Sequence, residues 1–181
     1  MAETYQQMLN KAISRGMVVD AQTWFDTTYK DLSSQSTINI IKKGDERLTK
    51  SLSIGKMYLF HYDPKWKEKL PLYDRFPLIF PFQNTDNGFM GINFHYLPYG
   101  QRAQLLDNLM SLANNKTFSD KMRLNLSYRV ISAVARTKAL ADKCVKKYLN
   151  SHVRSRFFYI KPDEWSKAIL LPLDDFIYNK K

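Results

Sequence analysis

Three stretches decide the fold: GKMYLFHYD (55–63), FPLIFPF (76–82) and GFMGINFHYL (88–97). In the first, Met57, Leu59 and His61 alternate with Lys56, Tyr58, Phe60 and Tyr62. A period of two is the strand period, and faces that are both mostly apolar or aromatic predict a strand with little surface left to water. The prolines of the second stretch push it toward a sheet edge or the first residues of a strand. Asp86-Asn87-Gly88, ahead of the third, is a hairpin signal because Asn and Gly tolerate positive φ. Short turns between three short strands predict a small antiparallel three-stranded sheet or barrel over about 55–97.

Outward from these strands the period lengthens to that of helices. GQRAQLLDNLMSLANN (100–115) puts Ala103, Leu106, Leu109, Met110 and Ala113 on one stripe. Residues 119–135 fit either period, and Ser119 as an N-cap with an Ala-rich end favours a helix. Upstream, 3–15 is an amphipathic helix with Tyr5, Met8, Leu9, Ala12 and Ile13 on one face, ending near Gly16. A second helix is predicted over 20–32, capped by Asp20 and anchored by Trp24, Phe25 and Leu32. The polar stretch 31–51 reads as a connector or extended arm. In the tail, Pro162 suits a first helical turn and the helix should stop before Pro172. The expectation is an α+β fold with N- and C-terminal helices packed on the small sheet. Residues 1–54 would form the N-terminal helices and polar arm, and 55–181 a single α+β domain.

The chain has 181 residues, 44% hydrophobic and 14% aromatic, enough for a packed core and too much for wholesale disorder. There is no apolar run of the roughly 18 residues a membrane helix needs. MAETYQQMLNKAISR lacks a basic-then-apolar leader, so no secretion signal is expected. A single cysteine, Cys144, fits a reducing cytoplasm or a particle assembled there.

The net charge of +11 is segregated. Residues 101–161 hold thirteen Lys/Arg against three Asp/Glu, while the other segments are close to neutral. Such segregation points to a polyanionic partner. The steps between Leu140, Cys144, Val145, Tyr148, Leu149, His152 and Val153 predict one helix over 138–156, seated by an apolar stripe and presenting Lys143, Lys146 and Lys147 outward. Together with Arg123, Arg129, Arg136, Lys138, Arg154 and Arg156 these residues form the predicted DNA-binding set, gathered on one exterior flank. Phosphate contacts of this kind give salt-dependent binding without base readout. A solvated surface, an acidic protein neighbour or an electropositive oligomer interior are the alternatives.

No catalytic constellation is apparent. There is no Walker loop, GxGxxG or HExxH. His61, His95 and His152 are far apart and read as packing residues. Cys144 falls on the apolar stripe of a helix, where cysteine packs rather than reacts. A metal-dependent nuclease would need converging carboxylates. The candidates are Asp63, Glu68 and Asp74 with Lys65, Lys67 and Lys69, or Asp163 and Glu164 with Lys167, but the latter lie in one helical turn. No cofactor or metal is expected, and no enzyme. The segment YDPKWKEKLPLYDRFPLIFPF (62–82) interleaves Tyr62, Trp66, Tyr73 and Phe76 with lysines. That mixture suits base stacking, or else a proline-rich turn whose aromatics complete the core.

Tyr-Asp-Pro-Lys, Leu-Pro-x-Tyr-Asp-x-Phe-Pro-Leu, Gly-x-Asn-x-His-Tyr-Leu-Pro and the Arg-Ser-Arg with Glu-Trp run across roughly 55–176. Over this span the chain resembles virion-associated proteins of T-even-type contractile-tailed phages, marine ones included, a family linked to DNA end protection. The resemblance implies a non-enzymatic virion protein, assembled in the host cytoplasm, that binds double-stranded phage DNA and shields its ends from exonuclease. A structural tail, neck or baseplate component, docking its basic face on other phage structural proteins, is the alternative it leaves open. The oligomeric state and the role of the N-terminal 50 residues are left open.

Overall fold

The computed structural model describes residues 3–15, 23, 24, 27, 47–171 and 177–179. An open antiparallel sheet of six strands forms its centre, in the spatial order β1 (Leu48–Thr49), β7 (Phe157–Ile160), β2 (Met57–Leu59), β4 (Leu78–Thr85), β5 (Gly88–Asn93) and β6 (Val145–Leu149). A separate pair joins β3 (Leu72–Asp74) to β8 (Ile177–Asn179). The α+β class is right, but the three-stranded sheet or barrel is not. The three strands read from the sequence form its middle, and β1, β7 and β6 extend it on both sides without closing it. The reason lies at the edges: β7 pairs with β2 and β6 with β5, satisfying backbone groups that a three-stranded sheet would leave open.

That apolarity divides by alternation, as the sequence predicts. Met57, Leu59, Leu78, Phe80 and Ile92 point into the larger core, with the helices. Tyr58, Phe60, Ile79, Phe89 and Phe157 point the other way, into a second, aromatic cluster. There Phe60 meets the rings of Phe89, Tyr148 and Phe157 edge to face, with centroids 5.1–5.8 Å apart. Such pairs contribute about 0.5–1.5 kcal/mol each beyond their buried area.

Two strand details differ from expectation. Strand β4 is interior, not an edge, although Pro81 sits within it. The register shifts between Pro81 and Gln83, leaving Phe82 unopposed, so a bulge absorbs the missing N–H. The hairpin at 86–88 does form, yet among the described residues only Gly55 has positive φ. Gly88 is needed for another reason: a Cβ there would run into the carbonyl oxygen of Tyr148 on β6.

Helices α1 (Tyr5–Arg15), α2 (Tyr99–Ala113) and α3 (Asp120–Arg136) pack with the larger core, followed by two short helices, α4 (Lys138–Cys144) and α5 (Trp165–Ala168). Ser119 caps α3, its hydroxyl accepting from the Met122 N–H at 3.3 Å, which settles the ambiguous stretch as helix. In α1, Tyr5, Leu9 and Ala12 are buried, whereas Ile13 falls off the stripe and is exposed. The Asp107 carboxylate on α2 accepts from the Tyr5 and Gln6 N–H groups at 2.6 and 3.2 Å, satisfying orphan donors of α1's first turn. Of the helix expected over 20–32, Thr23, Trp24 and Thr27 are helical and Trp24 packs on the core. Its other residues, Asp20, Phe25 and Leu32 included, lie outside the described residues, as does 31–46 of the connector. Pro162–Glu164 is a 3-10 turn leading into α5, which ends before Pro172 as predicted.

The single helix expected over 138–156 does not form. Helix α4 ends at Cys144, and Val145–Leu149 crosses into the sheet as β6, paired with β5. The apolar stripe of α4 runs on through Tyr148 at helical spacing, which is what misleads. Tertiary packing decides otherwise: Tyr148 stacks on Phe89 at 5.4 Å, and the bare Cα atom of Gly88 leaves room for the incoming backbone.

Arg102, on the first turn of α2, is 2% exposed. Its guanidinium donates to the carbonyls of Leu97 (2.7 Å), His95 (3.1 Å), Leu171 (2.5 Å) and Ile169 (3.3 Å). Burial draws its pKa down to about 10, so it stays protonated at neutral pH. Replacing Arg102 with Ala strands four buried acceptors, each worth about 1–3 kcal/mol when unsatisfied, so stability should fall by at least about 3 kcal/mol. Guanidinium unfolding measures this, and a wild-type midpoint would contradict it. Gly88→Ala should lower the midpoint too, through displacement of β6.

Candidate nucleic-acid interface

The cationic residues picked out in the sequence sit on α3, α4, β6 and the loop leading to β7, rather than on one helix. Arg129 and Arg136 are exposed on α3, seven residues apart, so they share a side of the helix roughly 10 Å apart along its axis. Lys138 and Lys143 are exposed on α4, and Lys147 on β6. Among the described residues, no carboxylate pairs with any of these five or with half-buried Arg156. Their charge is therefore available to a partner.

Three of the nine are engaged. Arg123 turns back to the carbonyl of Phe118, donating at 2.9 and 3.1 Å, and lies 3.6 Å from Asp120. Arg154 lies 3.5 Å from Asp63 and donates to Ser151. Lys146 is half-buried, its ammonium 4.6 Å from the centroid of Tyr96, and burial lowers its pKa. Arg102, counted in the basic stretch by sequence, is interior.

The aromatic–lysine segment and the basic stretch meet in one place. The 64–73 loop and strand β6 enclose a cleft of about 320 Å³. Its lining includes Tyr62, Trp66, Tyr73, Tyr96 and Tyr148, with Lys65, Lys146 and Lys147. Trp66 is 55% exposed, and the ammonium groups of Lys65 and Lys69 lie 5.2 and 4.9 Å from its ring centroid. Of the four aromatics noted in this segment, only Phe76 is absent from the cleft; it is buried against the larger core and stacks on His61.

A hydrogen-bonded group of buried side chains borders the cleft. Asp74 accepts from the Phe76 N–H (2.9 Å), from Asn93 (2.9 Å) and from His95 Nδ1 (2.7 Å). Asn93 also donates to the Tyr148 hydroxyl at 3.1 Å. Burial, and next the Asp74 charge, push the Tyr96 and Tyr148 phenols upward, so both stay neutral.

This arrangement separates the nuclease candidates. Asp74 belongs to the aromatic cleft, whereas Asp63 and Glu68 line a second, polar depression with His61, Arg75 and Arg154. Hydrogen bonding to Lys67, and next to Arg154, holds the Asp63 carboxyl below its usual range. Glu164 pairs with Arg47 at 2.6 Å and accepts from the Lys161 N–H. Asp74 is therefore set apart from Asp63 and Glu68, and Glu164 is engaged in its own ion pair. Among the described residues no group of His, Cys, Asp and Glu has the arrangement of a metal site, and no helix is long and apolar enough to cross a membrane. His95 is buried in the Asp74 network, and His152 donates from Nδ1 to the carbonyl of Asp63.

Fold and surface thus define an α+β protein with unpaired surface cations on α3, α4 and β6 and an aromatic, lysine-bearing cleft. The family model for the phage T4 terminal DNA protecting protein matches residues 4–181, and the chain belongs to that family. The match takes in N-terminal residues beyond the 55–176 span that carries the resemblance. No curated protein and no solved structure matches the chain significantly.

Cys144 is buried at the end of α4, and burial pushes its thiol up to about 11. At pH 8 it is therefore protonated as well as enclosed, and should react with an aromatic disulfide reagent far more slowly than in the denatured chain. Equal rates in the two states would contradict this.

Proposed function

We propose that this protein is a non-enzymatic phage virion component that binds double-stranded DNA at genome ends and shields them from exonuclease. The observation that carries the reading is the set of unpaired cations on α3, α4 and β6, in a member of a terminal-DNA-protecting family. Arg129, Arg136, Lys138, Lys143 and Lys147 are the proposed phosphate contacts, with Arg156 a further candidate. Arg123 and Arg154 would act at the margin, since each already has protein partners. Lys146 belongs to the cleft more than to the outer surface. Phosphate contacts fix position on a duplex without reading sequence, as a protector of arbitrary termini requires. The protein would be packaged with the genome after assembly in the host cytoplasm, with no metal or cofactor.

The reading makes a salt prediction. Affinity for a blunt duplex should fall linearly on logarithmic axes as salt rises, with a slope of about 0.9 per neutralised phosphate. Replacing Arg129, Arg136 and Lys143 together by Ala should weaken binding and flatten the slope by about that amount for each cation removed. Fluorescence anisotropy over a range of sodium chloride concentrations measures both. Unchanged affinity and slope would overturn the assignment, and retention on acidic tail or neck proteins instead of DNA would favour the structural alternative.

A further inference from the structure

On the DNA-end reading above, we propose that the cleft between the 64–73 loop and β6 takes an unpaired nucleotide at a DNA terminus. Its base would stack on the aromatic side chains and its phosphates would lie against Lys65 and Lys146. Three observations point to this occupant. First, about 320 Å³ falls at the lower end of the roughly 300–1,000 Å³ typical of small-ligand sites, a size suited to one nucleotide rather than a peptide helix or a duplex.

Second, the cleft combines faces and charges in the way a nucleotide needs. Trp66 presents an exposed ring, and Tyr96 and Tyr148, neutral phenols, line the same cleft. Every base offers a π-face, so stacking tolerates any sequence. Third, Lys146 is held half out of water on the ring of Tyr96, and among the described residues it has no carboxylate partner. An ammonium partly desolvated against a ring and without a counter-charge attracts an anion placed beside it more strongly than a fully hydrated one does. Asp74, the one carboxylate among the lining residues, has three of its acceptor positions filled by Phe76, Asn93 and His95. It therefore lies inside a fixed network and is not turned outward to oppose a phosphate.

Sequestering the last nucleotide would also explain how a protector distinguishes a terminus from internal duplex. Inside a duplex every base is paired and stacked, and extruding one costs a few kcal/mol. A single-stranded or frayed end offers its base at much lower cost.

The test uses the full-length chain and three probes: a blunt duplex, the same duplex with a short single-stranded overhang, and a free tetranucleotide. A 2-aminopurine at the terminal position of the overhang, and of the tetranucleotide, reports stacking by fluorescence quenching. Wild type should quench it and should prefer the overhang to the blunt duplex. Trp66→Ala should remove the quenching and lower overhang affinity roughly 5- to 100-fold, the range expected when one base is no longer stacked, with a much smaller loss on the blunt duplex. Trp66→Phe, which keeps a ring, should restore part of both, and Lys65→Ala should weaken the overhang complex in a salt-dependent way. Overhang affinity and quenching unaffected by Trp66→Ala would overturn the cleft assignment while leaving duplex binding standing. Quenching by wild type of the tetranucleotide without any blunt-duplex binding would uphold the cleft and refute the outer surface. Failure to bind any of the probes would refute both, and displacement of a bound overhang by an acidic peptide but not by a mononucleotide would overturn the nucleotide as occupant.

Discussion

The structure depends on a buried positive charge that, among the described residues, no carboxylate balances. Arg102 gathers the carbonyls of His95 and Leu97, which lead into α2, and those of Ile169 and Leu171, which follow α5. These segments are some seventy residues apart in sequence, and the guanidinium fork joins them with four hydrogen bonds. Carbonyl dipoles replace water around the charge, the condition for burying it without a counter-ion. The ring of Tyr99 lies 4.8 Å from the guanidinium carbon and that of Phe94 5.7 Å, completing an aromatic shell. By fixing the exit of β5 against the C-terminal turn, this one residue holds the helices on the larger core. The opposite face of the sheet is then free to be aromatic.

That second face is where structure and proposed role meet. Most sheets with helices on one side turn a polar face to water. Here Tyr58, Phe60, Phe89, Tyr148 and Phe157 form a cluster of interlocking rings, and β6 carries that cluster to the sheet's edge. Lysines on an edge strand commonly serve only to prevent strand addition. Lys147 fits that role as readily as a binding one. Lys146 does not, because it is folded inward over Tyr96 instead of extending into solvent. The cleft is thus the rim of the aromatic cluster, open to solvent beside the 64–73 loop, with charge supplied by both walls.

Much of this was legible in the sequence, for identifiable reasons. Alternation in 55–63 showed a strand with two apolar faces, and the two faces fill two cores. Ser119 marked the start of α3, and the stripe through Ala103, Leu106 and Leu109 marked the buried side of α2. What escaped was decided by contacts distant in sequence. Strand β6 looks helical because its apolar residues continue the spacing of α4, and only Phe89 and Gly88 reveal why it crosses into the sheet. Strands β1 and β7 lie outside the stretch whose period was clear. Arg102 reads as one more surface cation on a first helical turn, and nothing local distinguishes it from Arg129. Of the cleft, the aromatic–lysine wall was visible in 62–82, whereas the β6 wall was hidden by its assignment to a helix. Asp74 looked like a nuclease carboxylate and is instead held by Asn93, His95 and the Phe76 N–H.

The central claim is that a terminus, and not duplex charge alone, is what this protein recognises. Competition between linear and covalently closed circular DNA of identical sequence and mass tests it most directly. With a labelled linear fragment bound at physiological salt, unlabelled linear DNA should displace it far more effectively than the closed circle. Equal displacement by the two forms would mean that the cations on α3, α4 and β6 bind duplex without regard to its ends, and would contradict the account.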